Sequence, residues 1–148
     1  MTSFISVVVL TFNEESNLPH CLDSVVGWAR EIFVVDSFST DRTVDAALCR
    51  AGDGVRVVQH AFEDYSRQWN WALGALPIAA PWTLKLDADE RVTPEFKAEV
   101  EVLLKSAPPD LEGVYFRRRF HFMDLISILL GGCAAGMVLF IVSVGLSV

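Results

Sequence analysis

The stretch ISVVVLTFNEE, residues 5–15, decides the fold. Residues 5–10 are apolar or small, rich in β-branched side chains, and show no polar alternation. A strand of that composition is covered on both faces, as in a parallel sheet flanked by helices. Thr11 opens a polar segment, and Ser16 or Asn17 caps a helix predicted to reach residue 28.

The same order recurs on moving outward. Residues 32–35 (IFVV) read as a second buried strand that ends at Asp36, and the polar loop 37–41 (SFSTD) follows. Thr40 caps the next helix, which carries Val44, Ala47 and Leu48 on one face. Gly52-Asp53-Gly54 ends it, and residues 55–59 form a third strand. A helix is predicted over 66–76 and a fourth strand over 82–86, closed by Asp87-Ala88-Asp89-Glu90. Thr93 with Pro94 starts an amphipathic helix bearing Phe96, Val100, Leu103 and Leu104. Residues 113–122 read as a fifth strand. Strands alternating with helices specify an α/β fold, a mostly parallel sheet with helices on both faces. Ligands of such sheets bind beyond the carboxyl ends of the strands. Three polar clusters fall there: 11–15, 36–41 and 87–90.

Composition narrows the function. The 148 residues hold 12 Lys and Arg against 19 Asp and Glu, a net charge of -7. That balance repels a phosphate backbone and argues against a nucleic-acid partner. Cys21, Cys49 and Cys133 are far apart and odd in number, so reduced thiols are expected. His20, His60 and His121 have no zinc-ligand spacing with them. No G-x-G-x-x-G and no Walker lysine loop is present. The N-terminus lacks the basic start and small-residue cleavage site of a signal peptide.

The mean hydropathy of +0.38 averages two populations. Every Lys and Arg lies at or before Arg119, Asp124 is the last charge, and residues 125–148 are 24 uncharged residues. As a helix these would span about 36 Å, against a hydrocarbon thickness of about 30 Å. The sequence therefore predicts a domain over 1–123 and a C-terminal transmembrane segment over 124–148. Arg117, Arg118 and Arg119 just before the span favour a cytoplasmic N-terminal domain. Gly132-Cys133-Ala134-Ala135-Gly136 is a G-x-x-x-G that permits close helix packing, and hence a homodimer.

Asp87 and Asp89 flank a small residue at a strand end. Such hard oxygen ligands suit Mg²⁺ or Mn²⁺ shared with substrate phosphates, though two solvated acids or a helix cap would read the same. Their company carries more weight. Thr11-Phe12-Asn13-Glu14-Glu15, then Val34-Val35-Asp36-Ser37-Phe38-Ser39-Thr40-Asp41-Arg42-Thr43, then Leu86-Asp87-Ala88-Asp89-Glu90-Arg91 occur in order, each after a strand. In these motifs the chain resembles the family 2 glycosyltransferases of GT-A fold. Within them it is most similar to the lipooligosaccharide and lipopolysaccharide core β-1,4-glucosyltransferase branch, with His60-Ala61-Phe62-Glu63 and Gln68-Trp69-Asn70-Trp71-Ala72-Leu73 adding to the likeness.

The resemblance implies an inverting transfer from a nucleotide sugar, UDP-linked, to a cell-envelope glycan or lipid-linked acceptor. It implies that Thr11 and Asp36 contact base and ribose, with Asn13 and Glu14 shaping that pocket. Asp41 would hold the loop or cap the next helix, Arg67 would face base or phosphates, and Asn70 matches the asparagine of the family's helix motif. Asp87 would lie near the ribose and metal, and Asp89 would ligate the metal. The family continues well beyond a segment like 116–122, into the acceptor site and catalytic base. Here an apolar tail follows, so no catalytic base is assignable. The expected alternative is a catalytically incomplete nucleotide-sugar-binding membrane protein, or a truncated remnant. A bacterial inner-membrane location fits either reading.

Overall fold

A computed structural model describes residues 4–118 and the strand Val138–Ser143. The strands are β1 (Ile5–Thr11), β2 (Glu31–Asp36), β3 (Val55–Gln59), β4 (Trp82–Asp87), β5 (Gly113–Arg117) and β6 (Val138–Ser143). The helices are α1 (Leu18–Asp23), α2 (Thr43–Leu48), α3 (Tyr65–Ala75) and α4 (Pro94–Lys105). They form one six-stranded sheet in the order β3-β2-β1-β4-β6-β5. β1 runs parallel to β2 and β4, and β2 parallel to β3, whereas β6 is antiparallel to both β4 and β5. The expected mostly parallel α/β sheet is therefore present.

Burial explains the central strand. All seven residues of β1 are buried, and they alternate between two cores. Val7 and Val9 join Leu18, Leu22, Ala47 and Val100, so α1, α2 and α4 cover one face. Val8 and Leu10 join Phe33, Val35, Ala72 and Leu76, so α3 covers the other. A period-two strand with no polar side chain in its middle has no face to offer water.

Local chemistry sets the helix starts. Asp64 accepts a hydrogen bond from the Arg67 amide (2.8 Å), so α3 begins at Tyr65, one residue before the predicted start. Thr93 accepts from the Phe96 amide (3.2 Å), and Pro94 takes the first turn of α4 as predicted. The helix predicted to reach residue 28 stops at Asp23, where the Ser24 hydroxyl donates to the Cys21 carbonyl (2.6 Å), and turns replace it. Leu48, expected on the buried face of α2, is exposed; Ala47 alone of that trio is buried.

The predicted membrane helix needs correction where it can be compared. Val138–Ser143, inside the 124–148 span, is a strand. Ile141 pairs with Leu84 of β4 on one side and Val114 of β5 on the other. A continuous apolar run rich in β-branched residues reads alike as a buried strand or a membrane helix, because hydropathy reports burial and not backbone pairing. The rest of the span, with the G-x-x-x-G and Cys133, lies outside the described residues. Among the described residues no helix is long and apolar enough to cross a membrane.

Candidate functional site

The register gathers the three polar clusters. Thr11 is paired with Asp36, and Leu10 with Asp87, so β1, β2 and β4 end side by side. The chain fills β1 to β3 in one direction and then returns to place β4 on the other side of β1. That reversal opens a crevice at the carboxyl ends of β1 and β4. A cleft of about 700 Å³ lies there, with Thr11, Glu14, Asp87 and Asp89 in its wall. Phe12, Phe38, Phe62 and Tyr65, all exposed, line it too.

The loops after β1 and β2 are clasped. The Asn13 amide donates to Ser39 Oγ (2.9 Å), and Asn13 Oδ1 accepts from the Thr40 amide (2.8 Å). The Glu14 amide donates to Thr43 Oγ1 (2.8 Å) and the Glu15 amide to Asp41 Oδ2 (3.1 Å). Asp36 is fully buried and accepts from the Ser39 amide (3.0 Å), the Ser39 hydroxyl and Gln59 Nε2 (3.0 Å). Asp41 Oδ1 accepts from the Thr43 amide (3.0 Å) and hydroxyl (2.5 Å), at the start of α2. Desolvation pushes the Asp41 carboxyl up, but the bonds from Thr43 and Glu15 outweigh it and hold it below its ordinary value. Asn13, Asp36 and Asp41 thus spend their described hydrogen bonds on loop architecture and lie outside the cleft wall.

Two further expected residues sit apart. Arg67 is exposed on α3 and pairs with Glu63 and Asp64 (3.4 Å for the latter). Asn70 is exposed on the same helix and does not line the cleft. The inward residue of that motif is Gln68, whose Oε1 meets His60 Nδ1 at 2.7 Å and whose Nε2 donates to Ser37 Oγ (3.3 Å). A helix turns about 100° per residue, so only one of Gln68 and Asn70 can face the sheet.

The acidic corner holds a cation from the chain itself. Arg118 Nη2 lies 3.3 Å from Asp87 Oδ2, and Arg118 Nε lies 2.5 Å from Glu90 Oε1. Lys85 Nζ is 4.0 Å from Asp87 Oδ1. Glu90 Oε2 also accepts from the Asp87 amide (2.8 Å). Burial raises the Glu90 carboxyl; the Asp87 amide and Arg118 pull it down, and Asp87 and Asp89 push it up again. Asp89 is exposed in the cleft and makes no hydrogen bond or ion pair among the described residues.

Comparison with known proteins gives this corner its context. Residues 6–130 match the family model Glycosyl transferase family 2. The chain belongs to glycosyl transferase family 2. A Rickettsia bellii protein described as an uncharacterized glycosyltransferase is 34% identical over 110 residues, 74% of this chain and 36% of that protein. The lipopolysaccharide core biosynthesis glycosyltransferase LpsC of Rhizobium meliloti is 34% identical over 119 residues, 78% of this chain and 42% of LpsC. The chain spans well under half the length of these relatives. In fold it is similar to M. tuberculosis glucosyl-3-phosphoglycerate synthase, solved with Mn²⁺, UDP-glucose and phosphoglyceric acid. That likeness has a TM-score of 0.62 at 21% identity, covering 94% of this chain and 56% of the synthase. S. aureus TarS 1–349, solved with UDP, gives a TM-score of 0.56 at 24% identity, covering 68% and 32%. The shared architecture is the GT-A glycosyltransferase fold.

For this family 2 glycosyltransferase chain, the donor set can be tested against a divalent cation. Among the described residues no group of three His, Cys, Asp or Glu side chains is placed to hold a metal. Mg²⁺ and Mn²⁺ need less from the protein when a diphosphate supplies oxygens: one or two carboxylates suffice. Asp87 and Asp89 on one turn of the cleft meet that requirement, and Arg118 occupies the flank of Asp87 meanwhile. Sequence reasoning missed Glu90 and Arg118. Glu90 was part of the motif, but nothing in its spacing shows a bond to Arg118, which is 28 residues away. The basic run 117–119 reads in the sequence as a solvated strand edge or a membrane flank, whereas Arg118 turns inward with 16% of its side chain exposed.

Proposed function

We propose that this protein binds a nucleotide-sugar donor, UDP-linked, and moves its sugar to a cell-envelope glycan or lipid-linked acceptor with inversion. The supporting observation is the cleft at the β1/β4 switch point, where Asp87 and Asp89 stand beside aromatic side chains. An aromatic-lined region next to paired carboxylates matches a molecule with a base at one end and a diphosphate at the other. Thr11 at the end of β1 and Glu14 in the loop after it line the cleft between these two ends, where a ribose would lie. Asp89 and Asp87 would hold Mg²⁺ or Mn²⁺. When bound, that cation supplies stabilisation for charge developing on the diphosphate leaving group. Arg118, already within ion-pair distance of Asp87, adds a positive charge on the same side. Asn13, Asp36 and Asp41 serve the donor indirectly by fixing the loops. Arg67 and Asn70 would reach the donor only after α3 or its side chains move.

Calorimetric titration of the full chain with UDP and Mn²⁺ tests this reading. Metal-dependent binding that Asp89→Ala weakens by about tenfold or more supports it. A wild-type chain that fails to bind UDP, or an Asp89→Ala chain that binds and turns over donor unchanged, refutes it. A second reading is binding without turnover, since no described carboxylate is assigned as the general base that acceptor activation requires. Reproducible sugar transfer would dismiss it.

Membrane anchoring with the domain on the cytoplasmic side completes the proposal and rests on the apolar sequence 125–148. With Val138–Ser143 taken into the sheet, the 13 uncharged residues 125–137 carry that contact, and pairing through Gly132 and Gly136 would be its oligomeric form. Extraction of the protein from membranes by carbonate alone would count against anchoring.

A further inference from the structure

Two residues near the cleft have left-handed backbones without being glycine: Asn13 (φ 54°) and Phe38 (φ 59°). Asn13 is an ordinary occupant, because its short side chain bonds locally, here to Thr40. Phe38 has no such excuse. Its Cβ crowds the backbone in this region, and an aromatic there is a true outlier.

The loop leaves residue 38 little choice. On one side the Ser37 amide donates to the Thr11 carbonyl (2.9 Å). On the other, the Ser39 amide donates to buried Asp36 (3.0 Å), and Ser39 Oγ accepts from the Asn13 amide (2.9 Å). Both neighbours are pinned, so the left-handed turn between them is imposed. Burial does not offset the strain, since Phe38 is 54% exposed. Its ring has no ring partner among the described residues, whereas Phe62 and Tyr65 meet edge to face at 5.4 Å. The exposed ring does line the cleft. Strain held at a cleft wall without a packing return points to a ligand.

The sheet order says which part of the ligand. Phe12, Phe38 and Phe62 follow β1, β2 and β3, while Asp87 and Asp89 follow β4 on the other side of β1. Adjacent strands lie about 4.8 Å apart, so the loops after β2 and β4 are about 10 Å apart. That is the scale of a nucleoside diphosphate laid across the strand ends.

We infer that Phe38 is a donor-binding residue, whose ring forms a stacking wall for the nucleobase at the cost of backbone strain. This rests on the nucleotide-donor reading above. Stacking on an aromatic side chain has a geometry that an aliphatic one cannot reproduce. The strain and the binding therefore separate by substitution. Phe38→Gly and Phe38→Asn relieve the backbone, Phe38→Leu keeps the strain, and all three remove the ring. Phe38→Tyr keeps both.

The test combines thermal melts with UDP titration in Mn²⁺ on the full chain. The Gly and Asn variants should melt about 3 °C or more above the Leu variant. All three should bind UDP about tenfold more weakly, with the Tyr variant close to wild type. UDP affinity unchanged in the Gly, Asn and Leu variants overturns the inference, as does a Leu variant that melts with or above the Gly and Asn variants. A wild-type chain that does not bind UDP overturns the donor reading instead, so the two failures are distinct.

Discussion

Single residues hold this site in two different ways. Arg118 and Glu90 meet with 16% and 15% of their side chains exposed, which makes the pair expensive to break from one side. Arg118→Met strands Glu90 and should cost about 2 kcal/mol in urea unfolding, while the double variant Arg118→Met/Glu90→Leu should recover most of it. Additive losses in that double-mutant cycle would show that the two side chains act separately. Asp41 illustrates the other way, an acceptor tied into a loop. Its folded carboxyl lies below the unfolded value near 3.9. The stability it confers is therefore complete above the unfolded value and is lost as pH falls through the folded one. Asp41→Asn should lower the melting temperature at pH 7, and the gap to wild type should close in acid. A gap that widens below pH 4 would contradict this assignment.

At the scale of elements, burial decides reactivity and pairing decides strength. Cys21 of α1 is fully buried, and its thiol lies 3.6 Å from the Asp87 carbonyl. Burial, with the charges of Glu90, Asp89 and Asp87, pushes the thiol up to about 12, against a smaller opposing pull from Arg91. Cys49, just after α2, is exposed. In a Cys133→Ser background at pH 8, iodoacetamide should modify Cys49 and spare Cys21 until the chain unfolds. Equal labelling of both in the folded state would mean that α1 is not packed as described. β6 offers a test of pairing. Ile141 lies opposite Leu84 and Val114, so β6 has a partner on each side. Ile141→Pro removes a ladder donor from a central strand and should cost about 3 kcal/mol in urea unfolding. An unchanged midpoint would show that this stretch contributes no strand.

Over the whole molecule, one sheet separates stability from chemistry by its two ends. At the amino ends of the strands, Ser6 donates to Glu31 (2.6 Å), and Glu31 accepts from the Ala79 amide (2.6 Å), fastening the turn before β4. At the carboxyl ends, the clasped loops and the Arg118 corner surround an open cleft. The family match over 6–130 crosses both ends, in keeping with a scaffold whose interior is set by packing and whose loops carry the chemistry.

The parallel core was legible in the sequence, because runs such as 5–10 and 32–35 are short, β-branched and bounded by polar segments, which favours strands covered on both faces. The sequence likewise placed Thr11, Asp36 and Asp87 at strand ends, since polarity changes abruptly there. The residues of three ordered motifs, 11–15, 34–43 and 86–91, carried the resemblance to the family. Side-chain direction was not legible in the same way. Gln68 rather than Asn70 faces inward because of helix phase, and Asp36 and Asp41 turn to the loops around them because of hydrogen bonds 2 to 26 residues away. Arg118 reaches Asp87 across 31 residues only because β5 runs back beside β6 and the sheet. The left-handed backbone of Phe38 and the sheet partners of residues 138–143 were decided there too. Hydropathy counts what is buried; only the tertiary structure says against what.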